Sequence, residues 1–296
     1  YFTKLKITQS LVEKTLGMTD LPLLSEPNLQ QQLVEIGYQG KKLEELEGLS
    51  ATEKANMLFI VQDPYTSYYD AKEVRDFVAL TQKLGFEPII LPFKPNGKAM
   101  HIKGFLTRFS KTAKTQAEFL NRVAKLNVPL VGVDPAIVLS YRDEYKEALG
   151  DSRGDFHVLT AHEWLTNQLE SNALQSAVKN IAKSDRTFEW HLFPHCTEST
   201  FMPNSPKEWQ YIFAQFGQTL NVEKVGCCGM AGVFGHEVQN QTMSKDIYDV
   251  SWGKKLQGKD PNHCLATGYS CRSQVKRYEK AILKHPVQAL LEVLNH

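Results

Sequence analysis

After residue 50 the chain alternates between short apolar runs and stretches with helical spacing. Met57 to Val61 is an unbroken apolar run that reads as a buried strand, closed by Gln62-Asp63-Pro64. A helix is predicted from Asp70 to Leu84, stopped by Gly85, and a second strand from Glu87 to Leu91. Residues 113–126 read as a helix, Val128 to Val133 as a third strand, and Ile137 to Leu149 as another helix. The second half repeats the order. Strands at Phe188 to Phe193, Val222 to Val225 and Cys264 to Tyr269 alternate with helices at Pro206 to Phe216, His236 to Leu256 and Arg272 to Leu283. Short strands separated by helices predict βαβ units and parallel sheets.

The fold class that follows is α/β, with two similar lobes, each a small parallel sheet with flanking helices, related by internal duplication. Residues 1–50 are polar, with scattered leucines and a break between Pro22 and Pro27, and read as a helical connector or arm. The first lobe is placed at 51–154 and the second at 155–296, with Asp155 to Ala182 as a mostly helical joining segment.

Composition narrows the function classes. The 296 residues are 42% hydrophobic and 23% charged, an ordinary globular balance, and long enough for two domains. A net charge of +1 gives no electrostatic footprint for nucleic acid. No apolar run reaches transmembrane length, and no signal peptide is visible. The first residue is Tyr1 rather than Met, which predicts a processed protein or a piece of a larger one. Five cysteines, two of them adjacent, argue against a secreted disulfide scaffold and for a reducing, cytoplasmic location. A homo-oligomer is compatible with this composition.

All five cysteines lie between residues 196 and 271, as His195-Cys196, Gly226-Cys227-Cys228-Gly229, His263-Cys264 and Ser270-Cys271. Two adjacent cysteines between glycines cannot both point into one apolar core, and glycine lets a backbone approach something bulky. Cys196, Cys228 and Cys271 all fall at carboxyl ends of predicted strands, the sheet edge where α/β proteins bind ligands. Thiolates arriving from three segments suggest a metal or a cluster. The plain alternative for Cys227 and Cys228 is a pair of buried, inert thiols. Cys264 starts a strand and reads as core. No Ser-His-Asp grouping and no nucleotide fingerprint stands out.

His195-Cys196-Thr197-Glu198, Val225-Gly226-Cys227-Cys228-Gly229-Met230-Ala231-Gly232 and Gly268-Tyr269-Ser270-Cys271-Arg272 together resemble the cysteine-rich CCG domain. That domain occurs in heterodisulfide reductase and in the iron–sulfur components of glycolate oxidase and anaerobic glycerol-3-phosphate dehydrogenase. The same stretches, with Val61 to Asp70 and Pro92 to Lys98, look nearer to the C-terminal module of bacterial FAD-linked iron–sulfur D-2-hydroxyglutarate dehydrogenases. The likeness covers roughly residues 50–296. It implies a [4Fe–4S] cluster held by Cys196, Cys227, Cys228 and Cys271, with Cys264 a weak fifth candidate because Gly268 occupies the slot of a second closing cysteine. It also implies that FAD and a ferredoxin-like domain lie upstream in the intact polypeptide. The chain would then pass electrons to an acceptor, a quinone or a protein, in the cytoplasm or peripherally at the inner membrane, and would not act alone.

The likeness departs in the first lobe, where Asp63, Pro95-Asn96-Gly97 and Ile137 stand where a second cysteine set is expected. That lobe is therefore expected to be metal-free. His195 and His236 are candidates for donors to cluster sulfurs, or with His263 for ligands in a mixed Cys/His zinc site. Zinc in a structural or docking domain without a redox role is the alternative function, and a Cys227-Cys228 redox pair a third. Arg272, Lys276 and Arg277 read either as a solvated basic face or as a counter-charge to an anionic group. Asp63, Tyr68, Tyr69, Lys98, His101 and Arg108 are candidates to line a cleft opposite the cysteines.

Overall fold

The computed structural model describes residues 13–174, 178 and 187–295. Parts of the expected arm (1–12) and of the joining segment (175–177 and 179–182) lie outside the described residues. Among the described residues, seven strands form two sheets in which every pairing is parallel. The first sheet contains β1 (Met57–Ile60), β2 (Glu87–Ile90), β3 (Leu130–Gly132) and β4 (Val158–Thr160), in the order β2-β1-β3-β4. The second contains β5 (Glu189–Phe193), β6 (Thr219–Val222) and β7 (Cys264–Ala266), in the order β6-β5-β7. Each sheet thus has its first strand inside, its second on one flank and its third on the other. β4 falls in the segment read as a helical connector and extends the first sheet by pairing with β3.

Alternation along the strands explains the packing. On β1, Met57 and Phe59 face a core with Phe109, Leu120, Val138 and Tyr145. Leu58 and Ile60 face the other way, into a core shared by both units. That core collects Phe77 and Trp164 from the first unit's side and Trp190, Leu192, Trp209 and Phe213 from the second. The last helix, Pro286–Leu294, adds Val287 and Leu290 to it, alongside the residues of helix Ala71–Lys83. At roughly 1.5–3 kcal/mol for each large apolar side chain removed from water, this shared layer makes the two units halves of one body. A third core lies under the cysteines, with Phe193, Tyr248, Trp252 and Val275.

Several element ends differ from the pattern-based expectation. β6 is Thr219–Val222 rather than Val222 to Val225, because Gly217, at φ +67°, turns the chain directly from helix into strand. β7 stops at Ala266, and helix Tyr269–Glu279 begins where the strand was expected to end. Cys271 therefore sits in a helix's first turn. The helix expected from His236 begins at Gln241, after two short 3-10 turns. The expected helix at 137–149 is two, Pro135–Arg142 and Glu144–Leu149. The first opens with Asp134 as cap and Pro135 in the first turn.

Arg272 corrects the expectation of a solvated or cluster-facing basic turn. It is buried and bridges the units. Its guanidinium donates to the carbonyls of Ala266 (3.0 Å) and Thr267 (3.3 Å), and to Asp70 (3.2 Å) and Glu73 of the first unit. Burial works against its charge, but Glu73 and Asp70 hold its pKa above the ordinary range. Burial also pushes the Glu73 carboxyl up while Arg272 pulls it down. The two groups are in contact, and the pair is read as ionised. Arg277 is tied to Asp20, at 2.6 Å, and to the Gly235 carbonyl; Lys276 is exposed.

The described part of the arm runs across both units. Thr19 donates to the His236 carbonyl at 2.7 Å, Val238 to the Gly17 carbonyl at 2.9 Å, and Ser25 to the Tyr68 carbonyl at 2.7 Å. Among the described residues no helix is long and apolar enough to cross a membrane.

Candidate metal centre

Three chain segments deliver the thiols. Cys196 is the first residue of helix Cys196–Phe201, directly after β5. His195 caps that helix, its Nδ1 accepting the Thr197 N–H at 3.2 Å while its own N–H donates to Thr267 Oγ1 at 2.9 Å. Burial lowers its pKa, so the ring is neutral. With Nδ1 accepting, the proton belongs on Nε2, which lies 3.3 Å from Ser270 Oγ. Cys271 is the third residue of helix Tyr269–Glu279. A Cβ at Gly268 would lie 2.3 Å from His195 Cδ2, so glycine lets the turns bearing Cys196 and Cys271 close on each other. Glu198 ties the same two turns, accepting from Thr267 Oγ1 on one side and Ser205 Oγ on the other.

Cys227 and Cys228 follow β6 on a loop held from both sides. Gly229 takes φ +84°, and a Cβ there would meet the Ser244 carbonyl oxygen at 2.2 Å. Its N–H points at Cys227 Sγ, 3.3 Å away. Gln274, on the Cys271 helix, donates to the Cys228 carbonyl at 3.0 Å and to Ser244 Oγ at 2.9 Å. The loop is thereby fastened to the helix that carries the fourth thiol.

The four thiols influence one another in a chain: Cys196 and Cys228 each act on Cys227, and Cys271 acts on Cys228. The neighbouring Cys196 and Cys228 thiols hold Cys227 below the usual thiol range, with the Gly229 N–H adding to their effect. The same interactions, with burial, push Cys196 and Cys228 up. Bringing several of these neighbouring thiols to the thiolate together requires a positive group among them. All five cysteines are free thiols. Among the described residues, no three His, Cys, Asp or Glu side chains converge as they would around one metal ion.

Cys264 is placed apart. It is fully buried in β7, its pKa is raised by burial to about 11, and its charged neighbours are Lys259, Glu223 and Asp260 rather than thiols. His263 beside it packs on Trp190, ring centroids 5.2 Å apart. His236 lines the same cleft as the cysteines, with Arg277 Nη2 2.9 Å from its Nδ1. Burial and the Arg277 charge lower its pKa.

Three of the thiols, Cys196, Cys227 and Cys228, open onto a cleft of about 550 Å³ between the two units, while Cys271 is buried. Of the first-unit residues expected there, Tyr69 and Lys98 line it. The others sit elsewhere. Tyr68 packs on Phe93, His101 on Phe109 and Arg108 over Phe105. Asp63 is buried behind the wall, where burial and the neighbouring Asp134 raise its pKa to about 6. Asp134, missed in the sequence, joins the units. Its Oδ1 accepts from Ala136 (3.0 Å) and Ile137 (3.2 Å), and its Oδ2 from the N–H of Tyr269 (2.9 Å) at the start of the Cys271 helix. The Asp134-Pro135 pair was a readable helix-start signal, but its partner 135 residues away was not.

With this geometry in place, the known proteins similar to the chain form one consistent set. No family model matches it. It is 82% identical over its whole length to 29% of a D-2-hydroxyglutarate dehydrogenase from Haemophilus influenzae. It is 55% identical, again over its whole length, to 28% of a D-2-hydroxyglutarate dehydrogenase from Escherichia coli. A Pseudomonas putida protein of the same name is 38% identical over 97% of this chain and 27% of its own length. The chain thus spans under a third of the length of these curated relatives.

Proposed function

We propose that this chain is the iron–sulfur electron-transfer module of a FAD-dependent D-2-hydroxyglutarate dehydrogenase. One observation carries the reading: four thiols from three segments, Cys196, Cys227, Cys228 and Cys271, meet at one sheet edge beside a cleft. The donor set suits an iron–sulfur cluster, which is bound by cysteine thiolates, with its own positive irons balancing their charge. A cluster spreads its ligands over several irons, so it does not ask for the single-point convergence of a zinc site. Gly229 and Gly268 let the thiol-bearing turns close on Ser244 and His195, His195 and Glu198 hold the turns, and Cys264 stands aside. The relatives' names supply the substrate class, and their greater length supplies room for a flavin domain.

When bound, the cluster would supply one-electron transfer, letting a flavin that has taken two electrons return them singly. Around it the chain's own residues orient the thiols and limit water at Cys228 and Cys271, both buried. We also read the two units as products of internal duplication. They share strand order, and two positions correspond. Asp63 lies three residues past the end of β1, as Cys196 lies three past β5. Ile137 and Cys271 are both the third residue of the helix that follows β3 and β7 respectively.

The test is kinetic, on the full-length polypeptide carrying Cys227→Ser. Flavin reduction by D-2-hydroxyglutarate is expected to survive, and transfer to the natural acceptor to collapse. Loss of flavin reduction in a folded variant would place the module at the substrate site instead. Parental rates in both steps would favour a structural zinc domain.

A further inference from the structure

The cleft continues well past the thiols. Its volume, about 550 Å³, is that of a small-molecule site. Cys196, Cys227 and Cys228 line it from the second unit, while Tyr69, Lys98 and Ile102 line it from the first and Leu21 from the arm. An iron–sulfur cluster held by the cysteines accounts for the thiol wall and leaves the rest to another occupant.

The walls sort by chemistry. Leu21, Pro22, Ile102, Met230 and Val233 make much of the surface apolar. Flat faces are supplied by tyrosines: Tyr65 stacks on Tyr269 with centroids 5.5 Å apart at 19°, and Tyr69 lies 6.3 Å from Tyr269. Donors among the polar side chains include the tyrosine phenols, His236 and the hydroxyls of Thr197, Ser270 and Ser273. Arg277 can only donate to His236 Nδ1, and its 2.9 Å contact is shorter than the 3.3 Å from Nδ1 to the Thr19 carbonyl, which leaves the imidazole proton on Nε2. The lining's one carboxylate, Asp134, already accepts three backbone N–H groups. Lys98, the only Lys or Arg of the lining, is paired with Glu144. A dicarboxylate would therefore bring charge without a counter-charge into an apolar space. A flat apolar ring whose oxygens accept hydrogen bonds matches these walls.

We infer that the cleft binds a quinone beside the thiol site, as the electron acceptor of the module; the acceptor role rests on the reading proposed above. Conversion of the quinone to its hydroquinone takes two electrons and two protons. The electrons would come singly from an iron–sulfur group that Cys196, Cys227, Cys228 and Cys271 would hold, and each carbonyl oxygen would take one proton from a donor on the wall that water then re-protonates.

The experiment titrates a short-chain benzoquinone into the full-length polypeptide by calorimetry. The parent is compared with Ile102→Trp and, separately, Val233→Phe, each of which narrows the cleft without replacing a cysteine. The parent is expected to bind, and each variant to bind at least about tenfold more weakly, since a ring-sized loss of room removes most apolar contact. Iron and sulfide content is measured on the same samples and should match the parent. A parent that does not bind the quinone, or folded variants that bind it as tightly as the parent, would overturn the inference. A parent that binds the quinone but contains no iron–sulfur cluster would sink the electron-transfer reading while leaving the quinone site standing.

Discussion

The two units share an order of strands and part company at the same edge. After β5 and β7 the second unit places Cys196 and Cys271; after β1 and β3 the first unit places Asp63 and Ile137. In the second unit the loop after the flanking strand is Gly226-Cys227-Cys228-Gly229, and in the first it is Pro95-Asn96-Gly97. The first edge is filled rather than open. Asp63 accepts from the N–H groups of Tyr65 (2.8 Å) and Thr66 (3.0 Å), and Tyr145 donates to the Asn96 carbonyl at 2.7 Å. Ile137 joins Phe109, Tyr141 and Tyr145 in the core. The scaffold thus gathers three segments at one edge in both units, and the residue types at that edge decide whether it becomes core or a thiol-bearing edge. The first unit has another task. It supplies Asp134 to the Cys271 helix and Asp70 and Glu73 to Arg272, so it positions a site it does not contain.

That division can be broken from either side. The largest effect is expected from Arg272→Met. It leaves Glu73 buried without its partner and should cost about 3–5 kcal/mol of stability, measured by urea unfolding. A cost within ~1 kcal/mol would show that the shared core alone holds the units together. Next, Gly229→Ala combines a left-handed backbone with a 2.2 Å approach to the Ser244 carbonyl. It should destabilise by at least about 1–3 kcal/mol and lower iron content even where the protein stays folded. Unchanged iron would mean that the Cys227-Cys228 loop need not keep this shape.

Asp63→Asn sharpens the comparison through pH. The Asp63 pKa is raised to about 6 from an ordinary 3.8, so the fold favours its protonated form. Below pH ~4 the carboxyl is neutral both folded and unfolded; as pH rises through 6 the folded state loses that advantage, by roughly 2–3 kcal/mol in full. The asparagine variant should therefore melt higher than the parent at pH 7.5, and the gap should shrink by pH 4.5. A gap that does not change with pH would show that Asp63 does not titrate there. The smallest effect is expected at Cys264→Ser, which should leave iron content at the parent level while costing ~1–2 kcal/mol for a buried hydroxyl.

Much of this was legible in the pattern of the chain because it is local. Apolar runs such as Met57 to Val61 bounded by Asp-Pro mark strands, and the grouped cysteines mark a site before any folding is known. The ends of elements were less legible. A glycine at φ +67° moved β6, and a short β7 put Cys271 on a helix instead of a strand. Least legible were contacts distant in sequence. Nothing local to Arg272 reveals Glu73, and nothing near Asp134 reveals the N–H of Tyr269. Tyr65 was overlooked in the cleft because its ring partner, Tyr269, lies in the other half of the chain. β4 was missed because three residues, Val158–Thr160, are too few to stand out beside the helix that follows them.

The central claim is that four thiols, and not the fifth, hold an iron–sulfur cluster in the second unit. Its most direct test is iron and sulfide analysis of the full-length polypeptide prepared without oxygen, as parent, Cys228→Ser and Cys264→Ser. Cys228→Ser should contain about four irons and four sulfides fewer per chain than the parent, and Cys264→Ser should match it. Full iron in Cys228→Ser, or zinc lost from that variant in place of iron, would contradict the account.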